Sequence, residues 1–280
     1  MGPEPTDAAL LAALAWQVEL GADEAISDTP VDRFAASAPT PSTPATSATP
    51  AQPRAPDGAA QARADARHGS GVPTPESPPD THTLAESANS LAELAEAMKS
   101  WDGTPLKATA KNFVFSDGHT GSRLMVVGEA PGADEDRIGR PFVGRAGQLL
   151  DKMLAAIGQS RTDEDPAKSV YIANILPWRP PGNRTPSEQE VQSYLPFMER
   201  HIQLAKPEVI FAVGNTSVKA LLNTQTGIKR LRGNWHRHPR LDLPVMPSFH
   251  PAYLLRQAQD KRLAWRDLLA LRAVLDGENT

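Results

Sequence analysis

Hydrophobic positions beyond residue 120 follow two alternating patterns. Short unbroken apolar runs predict four buried strands, at Leu124–Val127, Val170–Ile175, Val209–Val213 and Leu243–Pro247. After each run the apolar residues recur every three or four positions, which predicts a helix. These helices are Gly144–Ile157, Ser187–Leu204, Thr216–Leu222 and Arg262–Leu275. Strands that alternate with helices favour a three-layer α/β/α fold, with a mostly parallel sheet of about four strands covered on both faces.

The first part of the chain has a different pattern. Thr6 to Leu20 spaces its leucines and Val18 like a short helix, and residues 1–35 are interpreted as a helical segment. Residues 36–83 are rich in Pro, Ala, Ser and Thr and have almost no large apolar side chain, which predicts a disordered linker. A second amphipathic helix is predicted over Ser87–Lys99, at the start of a domain that covers residues 84–280.

Charge divides the chain in the same way. Residues 1–90 carry 12 acidic and 4 basic side chains, a net charge of −8, whereas residues 91–280 carry 21 and 25, a net charge of +4. A mildly basic domain is compatible with a local nucleic-acid contact. The chain has no cysteine, which excludes disulfides and thiolate metal sites. We expect a cytoplasmic protein, because no apolar run reaches the ~18 residues of a membrane span and the first residues lack the basic start of a secretory signal.

Candidate chemistry is concentrated where strands end, because open α/β sheets bind ligands at the carboxyl ends of their strands. The first strand runs into Gly128-Glu-Ala-Pro-Gly132, which has neither the Gly-Lys-Ser/Thr of a P-loop nor the glycine spacing of a dinucleotide fingerprint. The second ends at Asn174, before a Pro- and Arg-rich loop, and the last leads into His250-Pro-Ala-Tyr-Leu-Leu-Arg256.

Four motifs in order resemble the family 4 uracil-DNA glycosylases: GEAPG-x-x-ED, G-x-PFVG-x-AG-x-LL, an Asn-containing strand before RPP-x-NR-x-P, and HPAYLLR. The resemblance extends from about Trp101 to the C-terminus. It implies a monofunctional, monomeric enzyme of base excision repair, which flips uracil out of single- or double-stranded DNA and hydrolyses its N-glycosidic bond to leave an abasic site. We expect no metal and no cofactor.

Two side chains are candidates for holding the base. Phe142 offers a stacking platform, and base–aromatic stacking contributes ~1–3 kcal/mol. The amide of Asn174 offers a donor and an acceptor to the 4-oxo and N3–H edge of uracil, whereas cytosine presents the opposite pair. The alternatives are purely structural: Phe142 would be an ordinary core residue, and Asn174 would form a turn. The turn residues Gly128, Ala130, Pro131 and Gly132 would bring backbone close to the target nucleotide.

Negative charge develops on the departing uracil, so the site needs a hydrogen-bond donor near O2. The family comparison assigns this role to His250, as either a protonated or a neutral imidazole. Other branches have an aspartate at the position of Ala130, so Glu129, Glu135 and Asp136 are left as candidates for orienting water or stabilising the sugar cation.

The remaining candidates face the DNA backbone. Tyr253, Leu254 or Leu255 could wedge into the gap that the flipped base leaves, and Arg256 would contact a phosphate. Further cations complete a possible phosphate track: Arg145, Arg179, Arg184, Lys229, Arg230 and Arg232. His236 and His238 alone are interpreted as a solvated turn rather than a metal site.

The chain departs from the family in one large respect. Family 4 members ligate a [4Fe–4S] cluster with four cysteines, and the corresponding positions here are Trp101, Thr104, Trp178 and Tyr194. Because none of these side chains can replace a thiolate, we expect aromatic packing in place of the cluster. Two other functions stay open: a non-catalytic binder of uracil-containing or abasic DNA, and a glycosylase for another deaminated base such as hypoxanthine.

Overall fold

The computed structural model describes residues 80–277. The helix predicted over Thr6–Leu20 and nearly all of the predicted linker therefore lie outside the described residues. Ten α-helices and six strands follow in chain order. The helices are α1 Thr81–Ser87, α2 Leu91–Ser100, α3 Leu106–Thr109, α4 Ala133–Ile138, α5 Arg145–Ala155, α6 Glu188–Ala205, α7 Asn215–Leu222, α8 Ile228–Leu231, α9 Pro251–Arg256 and α10 Lys261–Leu275. The strands are β1 Ser116–Gly118, β2 Leu124–Gly128, β3 Val170–Asn174, β4 Val209–Val213, β5 His236–Arg237 and β6 Pro244–Ser248.

The strands form one sheet in the order β1-β3-β2-β4-β6-β5. The four predicted strands are its parallel centre, and this confirms the fold class. Two short strands that the hydrophobic pattern did not predict, β1 and β5, add antiparallel edges. Both are only two or three residues long and contain no apolar run.

Successive side chains of the buried strands point to opposite faces of the sheet, which creates two cores. Met125 and Val127 pack on the face that α1, α2, α3, α6 and α7 cover. Leu124 and Val126 pack on the opposite face, against α5 and α10. The parallel register aligns the strand ends, so that Gly128 lies beside Asn174 and Val213 beside Ser248.

The helix predicted over Ser87–Lys99 is wrong in its bounds, because two helices meet there. Ser90 starts α2: its hydroxyl accepts the Glu93 N–H at 3.1 Å, and the Glu93 carboxylate accepts the Asn89 N–H at 2.8 Å. This reciprocal capping gives the second helix its own start. The preceding helix, α1, begins at Thr81, within the last residues predicted as linker, and its Ala85 is buried in the core.

Candidate active site

The carboxyl ends of β2 and β3 and the segment after β6 open into one cavity of about 500 Å³. Eleven predicted site residues line it: Glu129, Ala130, Pro131, Gly132, Glu135, Phe142, Asn174, Arg184, His250, Tyr253 and Arg256. Five further residues that we did not predict complete the lining: Ala146, Pro180, Asn183, Thr185 and Ala252. The aligned ends of parallel strands therefore bring together residues that lie far apart in sequence.

Phe142 is held in an uncommon backbone conformation, with φ of 53°. Its carbonyl accepts a hydrogen bond of 2.9 Å from Arg161 Nη2, and a side chain at Gly147 would collide with the same carbonyl. Arg161 also donates to the Pro141 carbonyl and to Asp117 of β1, at 3.0 and 2.9 Å. Arg161 thus positions the ring, a role that no local sequence signal indicated because its partners lie in three separate segments.

Gly128 provides the space in which the two base-binding candidates meet. A Cβ atom at this position would lie 2.4 Å from Asn174 Oδ1 and 2.5 Å from Phe142 Cζ. Asn174 is 4% exposed, and within residues 80–277 its Oδ1 has no hydrogen-bond partner. A buried polar atom without a partner is costly, so an amide that lines a cavity in this state is suited to a polar ligand.

His250 caps α9, and the hydrogen bond of this cap identifies the ring nitrogen that carries the proton. Its Nδ1 accepts the Ala252 N–H at 3.2 Å, so in the neutral ring the proton is on Nε2. Burial lowers the pKa of His250 to about 4, a change that nearby Glu135 opposes and Arg256 reinforces. The histidine is therefore a neutral donor at ordinary pH, which decides between the two protonation states that the sequence left open.

A buried ion pair supports the end of β6, two residues before His250. Ser248 Oγ donates to Asp267 Oδ2 at 2.7 Å, and Arg232 Nε donates to the same oxygen at 3.0 Å. Arg232 also donates to the Leu263 carbonyl and lies over the ring of Phe249, 5.4 Å from its centroid. The prediction of Arg232 as a phosphate contact is wrong, because its guanidinium is committed to fully buried Asp267.

The three candidate acids have different surroundings. Glu129 lines the cavity, and within residues 80–277 its carboxylate has no hydrogen-bond or ion-pair partner. Glu135 also lines it, but its Oε1 accepts the N–H groups of Val143 and Gly144 at 2.9 Å, and its Oε2 accepts the Gly132 N–H at 3.1 Å. Glu135 therefore joins the two loops that carry the motifs and acts as a positioning residue.

The prediction of Asp136 as a catalytic acid is wrong. Its side chain is buried outside the cavity, and Oδ1 accepts the N–H groups of Lys111 and Asn112 at 2.7 and 3.0 Å. A buried carboxylate that accepts two backbone N–H groups stabilises a loop and is not available to water in the cavity.

The residues predicted to face DNA divide into two groups. Leu255 and Arg256 are exposed on α9, and Arg145 is exposed at the start of α5. Tyr253 is half-buried and donates to Asp260 at 2.5 Å. Leu254 is buried in a small core with Phe249 and Ala264, so its prediction as a wedge is wrong.

Two arginines of the loop after β3 are already engaged. Arg184 forms a bidentate pair with Glu190, at 2.8 and 2.6 Å, although it also lines the cavity. Arg179 donates to Asn183 at 2.7 Å and lies near Asp136, outside the cavity lining. These contacts shape the loop that forms one wall of the cavity.

The four positions that correspond to cluster cysteines do converge. The rings of Trp101 and Tyr194 meet edge to face with centroids 5.1 Å apart, and the Tyr194 hydroxyl lies 3.1 Å from Thr104 Oγ1. Trp178 lies beside the same hydroxyl, although its indole N–H has no aligned acceptor within residues 80–277. Burial raises the pKa of Tyr194 to about 12. These residues do not fit an iron–sulfur cluster, because they supply no thiolate and their rings fill the space.

Residues 80–277 contain no group of three or more side chains placed to hold a metal ion, and none of their helices has the length and hydrophobicity to cross a membrane.

Comparison with known proteins agrees with the geometry. A profile described as the uracil DNA glycosylase superfamily matches residues 115–269. The type-4 uracil-DNA glycosylase of Thermotoga maritima is 35% identical over 191 residues, which are 66% of this chain and 94% of the relative. Type-4 uracil-DNA glycosylases of Pyrobaculum aerophilum and Archaeoglobus fulgidus are 39% and 36% identical, over 60% and 61% of this chain and 85% of each relative.

Proposed function

Because the chain belongs to the uracil-DNA glycosylase superfamily, we propose that it excises uracil from DNA by hydrolysing the N-glycosidic bond. It is an enzyme of DNA repair, and DNA is its partner. The observation that carries the proposal is the meeting of Phe142, Asn174 and neutral His250 in one cavity. We further propose specificity for uracil and action as a monomer in the cytoplasm.

Recognition depends on two buried side chains. A flipped pyrimidine stacks on Phe142, and the Asn174 amide accepts the uracil N3–H through Oδ1 while its NH₂ donates to the 4-oxo group. Cytosine would place donor against donor and leave buried groups without partners, a mismatch that enzymes reject strongly. The cost of flipping, a few kcal/mol, is offset by these contacts.

Bond cleavage depends on a donor that is already in place. As the bond between the sugar C1′ and uracil N1 breaks, its electron pair moves onto the uracil ring, and His250 Nε2–H donates to the developing charge at O2. A hydrogen-bond donor that is already in position needs no rearrangement, so it stabilises mainly the transition state. Glu129 orients the water whose oxygen bonds to C1′, and the proton that this water releases balances the charge of the departing base.

The test compares oligonucleotides that contain uracil, hypoxanthine, an abasic site or only normal bases. After incubation, treatment with hot alkali cleaves the strand wherever a base has been removed. The oligonucleotide with an abasic site is cleaved by alkali in every case. Of the other three, we expect cleavage only of the one that contains uracil. Binding to uracil or abasic DNA without turnover would identify a non-catalytic binder instead. Cleavage mainly at hypoxanthine would identify the other glycosylase.

A further inference from the structure

An apolar groove of about 280 Å³ lies between α5 and α10, on the flank of the domain. We call it the α5–α10 groove. Its walls are Leu149 and Met153 of α5 and Ala264, Trp265 and Leu268 of α10, and Leu254 of α9 also lines it. Leu254 and Tyr253 are consecutive, yet the first lines the groove and the second lines the catalytic cavity. The groove is therefore close to the active site but separate from it.

The groove continues into an exposed apolar surface. Within residues 80–277 four large hydrophobic side chains are exposed, and two of them, Trp265 (42%) and Leu269 (48%), are on α10. These two are four residues apart, so they lie on the same face of the helix and extend the groove along it. Exposed tryptophan is typical of binding hot spots, and Met153 can adapt its shape to a ligand.

The rim of the groove is basic. Lys152 and Lys261 belong to its lining, and Arg262 and Arg266 are exposed on the same helix, α10. None of these four cations makes a hydrogen bond or an ion pair with any other residue in the range 80–277. The acids next to these cations in sequence have other partners: Asp151 pairs with Arg161, Asp260 accepts the Tyr253 hydroxyl, and Asp267 is buried against Arg232. Unpaired cations around an apolar groove are complementary to a ligand that is both acidic and apolar.

We propose that the α5–α10 groove binds an acidic peptide segment of a partner protein, with a large apolar side chain of that segment inserted beside Trp265. Lys152 and Lys261 would pair with carboxylates of the peptide, and the groove would bury the inserted apolar side chain away from water. DNA fits this surface less well, because a phosphate backbone has no apolar group for the groove. Binding here leaves the catalytic cavity open, so a partner could hold the enzyme at its DNA substrate.

The test uses the full chain and a short fluorescein-labelled peptide that is rich in aspartate and contains one leucine and one phenylalanine. Fluorescence anisotropy measures its affinity. Two matched peptides, one with both apolar residues replaced by serine and one with aspartates replaced by asparagine, should each bind at least about tenfold more weakly. The Trp265→Ala variant and the Lys152→Glu/Lys261→Glu variant should weaken binding of the first peptide by a similar factor.

Lys99→Glu is the matched control, because Lys99 is an exposed lysine on α2, which packs on the opposite face of the sheet. It should bind the peptide like the parent chain, and every variant should keep uracil excision, which also shows that it is folded. Equal binding of the serine peptide, or unchanged binding by the groove variants, would overturn the proposal. So would complete competition by uracil-free duplex DNA, or a dimer in light scattering that the peptide does not dissociate, since a second copy would then occupy the groove.

Discussion

The imidazole of His250 lies against the phenyl ring of Phe142, with 5.5 Å between ring centroids and 29° between ring planes. The residue proposed to stack on the base therefore supports the residue proposed to act on it. Both rings depend on the loops at the carboxyl edge of the sheet, so a change in either loop should affect capture and cleavage together.

Replacement of His250 by alanine should lower the single-turnover rate of uracil excision by about 10²–10³-fold, because one preorganised donor to a developing oxyanion is lost. Affinity for uracil-containing duplex should stay within a few-fold, since the charge develops only as the bond breaks. His82→Ala, at an exposed histidine of α1, is the control. A near-parental rate for His250→Ala would make this histidine structural.

Gly128→Ala should impair excision although no functional group is removed. The added Cβ would lie within 2.5 Å of both Asn174 and Phe142, so at least one must leave its position. We expect weaker uracil binding together with a lower rate, measured by titration and single turnover on the same duplex. Gly227→Ala, outside the cavity lining and with no atom closer than 4.0 Å to the added Cβ, is the matched control. An unaffected Gly128→Ala enzyme would contradict the proposed base-binding geometry.

Replacement of Arg232 and replacement of Arg256 should have different effects. Arg232→Gln leaves Asp267 buried without its charged partner, so it should lower the free energy of unfolding by about 3–5 kcal/mol. Arg256→Gln should instead leave stability unchanged and reduce the salt dependence of DNA binding by about one phosphate contact. Urea unfolding and binding titrations across salt concentrations separate the two. A reduced salt slope for folded Arg232→Gln would restore Arg232 to the phosphate track.

The protein purified without oxygen should be colourless and free of stoichiometric iron, because Trp101, Thr104, Trp178 and Tyr194 fill the cluster positions. Tyr194→Phe removes one hydrogen bond and should cost about 1 kcal/mol of stability. Trp101→Ala, which leaves a cavity, should cost about 3–5 kcal/mol. Metal analysis and urea unfolding provide the readouts, and bound iron would contradict the replacement of the cluster by packing.

Stability should decrease on acidification below pH 6.5. The interpretation of His238 as part of a solvated turn is wrong, because its ring is buried and its Nδ1 accepts the N–H groups of Arg240 and Leu241. Burial lowers the pKa of His201 to about 3 and that of His238 to about 4, from an ordinary value of 6.5. Between these values the unfolded chain binds protons that the folded chain excludes, so stability increases with pH by up to about 1.4 kcal/mol per unit for each histidine.

A double variant isolates one of these contributions. His201 Nε2 lies 2.9 Å from the Tyr171 hydroxyl, so Tyr171→Phe/His201→Phe removes both partners of this hydrogen bond. Its unfolding free energy should change less with pH, by the contribution of one histidine. An unchanged slope would show that His201 titrates alike in the folded and unfolded chain.

The sequence by itself determined the four central strands and the strand ends at which the cavity lies, and it identified eleven of the sixteen residues that line the cavity. Unbroken apolar runs identify buried parallel strands, and parallel strands place their carboxyl ends at one edge whatever the details of packing. The separate start of α2 could also have been predicted, because Ser90 and Glu93 form a capping signature in the printed sequence.

Only the tertiary structure decided which of the candidate side chains are available. Arg232 and Asp267 are 35 residues apart, and Asp136 binds backbone 24 and 25 residues before it. Such partners are set by how helices and loops pack on the sheet, which local periodicity does not encode. The protonation state of His250 has the same origin. Burial keeps the ring neutral, and the Ala252 N–H sets which ring nitrogen carries the proton; residue type decides neither.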